Sequence, residues 1–210
     1  MPQYYSRRYG ELPPATINII IINVILFIAT LINENFMIGT FALFHPSSPL
    51  FRWWQIITHM FMHGGFWHIL FNMYTLFIFG MVVERIIGTK KFLVYYFLCG
   101  LGAAALHLGV QTLTGPSLYV PTLGASGAVY GLLLSYAFLF PDNKLTLLFP
   151  PITLSAKWMV LIFLGIELVT GILGTADGVA HFAHLGGALV GWILMVWWRK
   201  TGRLFNKKWW

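Results

Sequence analysis

A serine and a histidine stand in this chain where a water-free interior would exclude them unless they had work to do. Ser126 lies in Gly124-Ala125-Ser126-Gly127 at the head of a long apolar stretch. His184 lies in Ala183-His184-Leu185-Gly186-Gly187, near the start of another. Polar and ionisable groups at bilayer depth are costly, so such residues mark function by default. A hydroxyl beside an imidazole makes a nucleophile and its base. The neighbouring small residues, Gly127/Gly131 and Ala183/Gly187/Gly191, would let the two helices touch. His68 and Asn72 are spaced i, i+4 and so share a helical face. Their side-chain N–H groups, with the backbone N–H of Ser126, could meet a developing oxyanion. Tyr130 follows Ser126 by one turn and could hold the His184 ring in place.

Each of these residues also has a plainer reading. A serine in an apolar helix commonly bonds back to its own backbone, and an asparagine there commonly joins two helices. What favours chemistry is convergence, and convergence depends on the elements that carry the residues.

Those elements are helices in lipid. The 210 residues are 58% hydrophobic and 9% charged, against about 25% charged in a soluble domain. Such a surface cannot be coated for water. Six apolar segments, at 15–33, 66–83, 92–113, 121–140, 158–175 and 179–198, each approach the ~20 residues that cross a bilayer core. The expected fold is therefore an all-α membrane protein, a six-transmembrane-helix bundle spanning 15–198. A short segment, 1–14, precedes it and a basic tail, 199–210, follows. The first span follows Arg7 and Arg8 with no small-residue cleavage site after it, which reads as a retained anchor. The lone cysteine, Cys99, sits in an apolar run and excludes an intrachain disulfide.

Twelve of the thirteen Lys and Arg residues fall on one side of this six-span arrangement, Arg52 being the exception. The positive-inside rule then places both termini in the cytoplasm and turns 34–65, 114–120 and 176–178 outward. Positive charge dispersed between apolar runs argues against a nucleic-acid partner. Segments four and six both start at the outer face, which sets Ser126 and His184 about five residues in, at matched depth. The outer loop 34–65 carries Phe36, Phe41, Phe44, Phe51, Trp53, Trp54 and Phe61. So many aromatic rings place it at the membrane interface. Trp192, Trp197, Trp198, Trp209 and Trp210 read as an inner interfacial belt.

Taken together, these motifs resemble the rhomboid intramembrane serine proteases. Gly124-Ala125-Ser126-Gly127 with Tyr130 is similar to their fourth helix, and Ala183-His184 through Gly187 and Gly191 to their sixth. His59-Met60-Phe61-Met62-His63 and His68-Ile69-Leu70-Phe71-Asn72 resemble the entry to their second helix, and Glu84-Arg85 with Gly88 its cytosolic end. The resemblance implies Ser126 as nucleophile, His184 as base, and His68 and Asn72 as oxyanion donors. It implies a dyad without a third carboxylate, in keeping with an expected absence of a suitably placed acid. The implied substrates are transmembrane helices cut near their outer end after a small residue, with no cofactor and no metal. A multi-pass position in a bacterial plasma membrane is expected. Where some members have Trp-Arg in the first loop, this chain has Trp54-Gln55, so an arginine does not pack that loop.

Three other histidines and one acid need a place. His181 shares a face with His184 but lacks the following glycine spacing, and is expected to bond water or the overlying loop. His59 and His63 are expected to tie down the first loop, and Glu167 to be a buried structural carboxylate. Two rival functions remain. His59/His63 and His181/His184 have spacings that could bind zinc in a metal transporter, although no His-Glu-x-x-His occurs. A non-catalytic relative would only bind transmembrane helices, which the retained Ser126 and His184 argue against.

Overall fold

The computed structural model of the chain describes residues 12–147, 150–174 and 179–204. Arg7, Arg8, Lys207, Lys208, Trp209, Trp210 and the turn at 176–178 lie outside the described residues. Helix α1 (Pro14–Ile32) begins with proline, whose missing amide costs nothing in a first turn. Its free Ala15 and Thr16 amides donate to the carboxylate of Glu84 at 3.0 and 2.7 Å. Asn33 ends α1 and caps α2 (Glu34–Phe41), its side chain accepting from the Phe36 amide. The one-turn α3 (Gln55–Thr58) and a 3₁₀ turn at His59–Phe61 complete the first loop. Next come α4 (Phe66–Thr75), a π-helical stretch at Leu76–Gly80 and α5 (Met81–Ile87), which form one continuous rod. Gly88 ends that rod, and α6 (Thr89–Thr114) follows directly. The last three helices are α7 (Ser126–Leu139), α8 (Ala156–Leu173) and α9 (His181–Lys200). A two-stranded hairpin, β1 (Lys144–Thr146) and β2 (Thr153–Ser155), links α7 to α8.

Among the described residues, five rods are long and apolar enough to cross a membrane: α1, α4 through α5, α6, α8 and α9. The expected fourth segment differs. Its helix starts at Ser126 rather than near 121 and has 14 residues. Pro121 has no amide to donate, and Gly124 adopts φ +128, a conformation that interrupts a helix. At 1.5 Å per residue, α7 is about 21 Å long, short of a ~30 Å hydrocarbon core. Ser126 is therefore the first helical residue, not one turn inside.

The centre of the molecule is a seam between α6, α7 and α9 where backbones touch. A Cβ on Gly187 would sit 1.9 Å from the Gly127 carbonyl oxygen, and one on Gly186 would sit 2.5 Å from that of Gly102. One on Gly127 would lie 2.3 Å from the Ala103 Cβ. The glycine face inferred for α7 and α9 is thus the contact face, with α6 as its third member. Tyr95 donates its hydroxyl to the Gly131 carbonyl at 2.7 Å across this seam. Large apolar side chains on the outer faces, such as Ile32 and Leu173, stay exposed, as lipid permits and water would not.

The first loop is anchored by Gln55, which stands where some members of the resembled family have arginine. Gln55 is fully buried. Its Nε2 donates to the Leu50 carbonyl at 3.1 Å, and its Oε1 accepts from the Arg52 amide at 3.1 Å. A neutral amide, both donor and acceptor, closes the loop without burying a charge. The loop is also stitched to the segment before α7, because Leu43 and Thr122 exchange backbone hydrogen bonds at 2.9 and 2.8 Å. Phe36 and Trp53 point outward and stay exposed, while Phe44 is buried.

Candidate active site

The approach to Ser126 is fixed from below by the first loop. The Gly124 amide donates to the His59 carbonyl at 2.9 Å, and His59 Nδ1 meets the Gln55 carbonyl at 2.9 Å. Chain direction then turns at Gly124 and α7 starts. Because Gly127 and Gly187 remove the side chains between α7 and α9, His184 reaches the start of α7. Its Nε2 lies 2.8 Å from Ser126 Oγ. Residues 58 positions apart are joined by a hydrogen bond that the helix spacing alone could only make possible.

Tyr130, one turn after Ser126, packs against the imidazole. Its ring stacks on that of His184 at 4.3 Å between centroids, with 9° between planes. The Tyr130 hydroxyl donates to Glu167 Oε1.

Glu167 corrects the expectation that no acid is suitably placed. From α8 it lies buried against the far side of the imidazole, with Oε1 2.9 Å from His184 Nδ1. That contact is close but bent, since Nδ1 makes no hydrogen bond of good geometry. Its strength is therefore chiefly electrostatic, because a hydrogen bond weakens steeply away from linearity. The second carboxylate oxygen is 2.6 Å from His181 Nδ1, which also lies 3.1 Å from Thr170 Oγ1. His181 thus binds the acid beside the base and is not merely a neighbour of the overlying loop. The signal for Glu167 was present in the sequence, as the sole acid in an apolar segment. It was read as structural because nothing in the spacing of α8 links it to α9.

His68 approaches from α4. A Cβ on Gly124 would fall 2.8 Å from His68 Nε2 and 3.5 Å from Ser126 Oγ, so imidazole, glycine and hydroxyl are adjacent. Asn72 lies one turn further and donates its amide to the His68 carbonyl at 2.8 Å. His68, Asn72, Ser126, Tyr130 and His184 line one cleft of about 960 Å³. Its rim carries Phe66, Trp67 and Phe71 of α4 and Phe163 of α8.

Two lining residues were not singled out in the sequence. His107 and Gln111 of α6 face the cleft, 3.1 Å apart between side-chain nitrogens. They show the same i, i+4 pattern that drew attention to His68 and Asn72. His63 is wholly buried, its ring 5.0 Å from that of His68, and among the described residues neither ring nitrogen finds a hydrogen bond of good geometry. Burial drives the pKa of His63 down to about 3 and that of His59 to about 4. Among the described residues no three His, Cys, Asp or Glu side chains could hold a metal ion.

Comparisons with known proteins identify the family. Residues 50–200 match the family model described as the Rhomboid domain. The chain belongs to the rhomboid family. Among rhomboid relatives, it is 30% identical over 156 residues to Rhomboid protease AarA of Providencia stuartii, covering 69% of this chain and 55% of that protein. It is 40% identical over 88 residues to the Putative rhomboid protease YdcA of Bacillus subtilis, 42% of each chain. Rhomboid protein 1, mitochondrial, of Saccharomyces cerevisiae matches at 30% over 144 residues, 65% of this chain and 39% of that one. The matched stretch thus spans 39 to 55% of these relatives' own lengths. With its apolar rods, the rhomboid chain is an integral multi-pass membrane protein.

Proposed function

We propose that this chain is an intramembrane serine endopeptidase acting through Ser126 and His184. The observation that carries the reading is the 2.8 Å bond from Ser126 Oγ to His184 Nε2 inside a cleft. A serine hydroxyl is a weak nucleophile until a base takes its proton. With Nε2 unprotonated, His184 receives that proton as Oγ attacks the scissile carbonyl. The resulting oxyanion is met by the Ser126 backbone N–H, His68 and Asn72. Asn72 must first release the carbonyl of His68, a rotation of one side chain. His184 then passes its proton to the leaving amine, and water resolves the acyl-enzyme by the reverse sequence.

Transmembrane helices cut near their outer end are the substrates this site suits. A helix buries its carbonyls in internal hydrogen bonds, so it must locally unwind before one can face Ser126. A largely apolar cleft between α4 and α8 that carries His68, Asn72, Ser126 and His184 in its wall supports that exchange of partners. With the short α7 counted as a sixth span beside the five long rods, the lysine and arginine distribution favours both termini in the cytoplasm and the cleft facing outward.

The test is cleavage of a transmembrane substrate by detergent-purified protein. Wild type cleaves, also in excess EDTA, while Ser126→Ala and His184→Ala do not. The double variant is no worse than either single one, because nucleophile and base act as a unit. Activity that survives in His184→Ala but disappears in His181→Ala overturns the assignment of the base. Loss with EDTA and recovery with zinc overturns serine chemistry.

A further inference from the structure

We propose that Glu167 is a positioning residue for His184, holding its reactive tautomer and stabilising the imidazolium that forms when Ser126 gives up its proton. The inference rests on the serine-protease reading above. Its basis is the pairing of Glu167 Oε1 with His184 Nδ1 at 2.9 Å, on the side of the ring opposite Ser126. If Nε2 is to accept from Ser126, the imidazole proton resides on Nδ1, and the acid is the group facing it. A carboxylate there favours this tautomer, and its charge offsets the positive ring of the transition state. In a buried site, that attraction is weakly screened.

The carboxylate is itself held in place, as a positioning group must be. Tyr130, stacked on the ring it helps to orient, donates its hydroxyl to Oε1. His181 Nδ1 lies 2.6 Å from Oε2. Both carboxylate oxygens are thus engaged by side chains from helices other than α8. The bent approach to Nδ1 sets the expected size of the effect. It should be smaller than the ~10⁴-fold loss seen when an aligned carboxylate is neutralised in a serine hydrolase triad.

The experiment compares wild type, Ser126→Ala, Glu167→Gln and Glu167→Asp in detergent. It follows cleavage of a transmembrane substrate, labelling by a fluorophosphonate and thermal unfolding. Glu167→Gln keeps an oxygen for Tyr130 but loses the charge. Its kcat should fall by roughly 10- to 100-fold with KM within about twofold, and its labelling rate should fall in parallel. Glu167→Asp, which keeps the charge, should recover part of the loss. An unchanged kcat in Glu167→Gln overturns the inference. So does an equal loss in both variants that tracks a lowered unfolding temperature, which marks a structural role. A wild type that neither cleaves nor labels at Ser126 refutes the protease reading itself. A wild type that does both, beside an unaffected Glu167→Gln, refutes only the role of Glu167.

Discussion

The two sides of the Ser126–His184 pair are built on different principles. On one side, α6, α7 and α9 meet backbone to backbone along Gly102, Gly127, Gly186 and Gly187. On the other, α8 has the smallest buried share of the five long rods, and Gly165 at its middle has nothing within 4 Å of where a Cβ would stand. The first side fixes the nucleophile and base by shape, with the Tyr95 hydroxyl adding a hydrogen bond across it to the Gly131 carbonyl. The second supplies Glu167 through side-chain reach, and α4 supplies His68 and Asn72 in the same way. A hydroxyl–imidazole distance must be held to tenths of an ångström, and contact between rigid backbones does that. Groups that respond to charge or make way for a substrate tolerate a looser wall. A packed seam has few alternative arrangements, because deviations of one methyl group are already felt.

Adding one methyl group to each side is the sharpest way to break that contrast. Gly187→Ala would place its Cβ 1.9 Å from the Gly127 carbonyl oxygen, a contact only backbone separation can relieve. Overpacking of this kind costs on the order of 1–3 kcal/mol or more. Its larger effect is geometric, since parting α7 from α9 lengthens the Ser126–His184 bond. Cleavage should fall at least ~100-fold, as expected for a misplacement near 1 Å. Gly165→Ala should leave turnover and the unfolding temperature near wild type. Equal effects of the two substitutions, measured on purified protein in one detergent, would remove the distinction between seam and wall.

A smaller effect is expected from α4. His68→Ala and Asn72→Ala should each lower kcat by roughly 100-fold with little change in KM, the usual magnitude for one oxyanion donor. The loss stays below that of Ser126→Ala because the Ser126 amide and the remaining side chain still donate. Asn72 should cost less than His68 if its amide remains on the His68 carbonyl, where it rests at 2.8 Å. Full turnover in the double variant would remove this pair from the site and leave α4 a wall only.

The division between seam and wall also decides what was legible in the sequence. Small residues four apart announce a close helix contact, so the pairing of α7 with α9 could be read from Gly127, Gly131, Gly187 and Gly191. The stacking of Tyr130 followed from one turn of helix. Side-chain reach leaves no such period. Glu167 on α8 gives no sign of which helix it faces, and His107 and Gln111 look like any polar pair in an apolar run. The start of α7 was misplaced because hydrophobicity continues through residues 121–125, while backbone geometry at Pro121 and Gly124 does not. The task of Gln55, satisfying the loop backbone, is spread over residues 39 to 52 and leaves no local pattern.

The gentlest test uses protons, which should act on the first loop and spare the glycine seam. His59 and His63 are buried, and burial depresses their pKa values from 6.5 to about 4 and about 3. Both rings are therefore neutral in the folded protein at pH 7, and the unfolded chain binds protons more readily below pH 6.5. The stability associated with the neutral rings is fully present above about 6.5. It is lost as pH falls towards 4 and then 3. A shift of this size on His59 corresponds to roughly 3 kcal/mol at the acid end. Only a fraction is lost between pH 7 and 5.5, so the unfolding temperature in detergent should drop modestly there and more steeply below. His59→Gln keeps a donor for the Gln55 carbonyl but does not titrate, so its profile should be flatter than wild type over pH 4–6. Where Gly187 meets Gly127 there is no ionisable group to protonate, and Gly165→Ala should leave the slope unchanged. A His59→Gln profile parallel to wild type would mean that the acid sensitivity does not arise at His59.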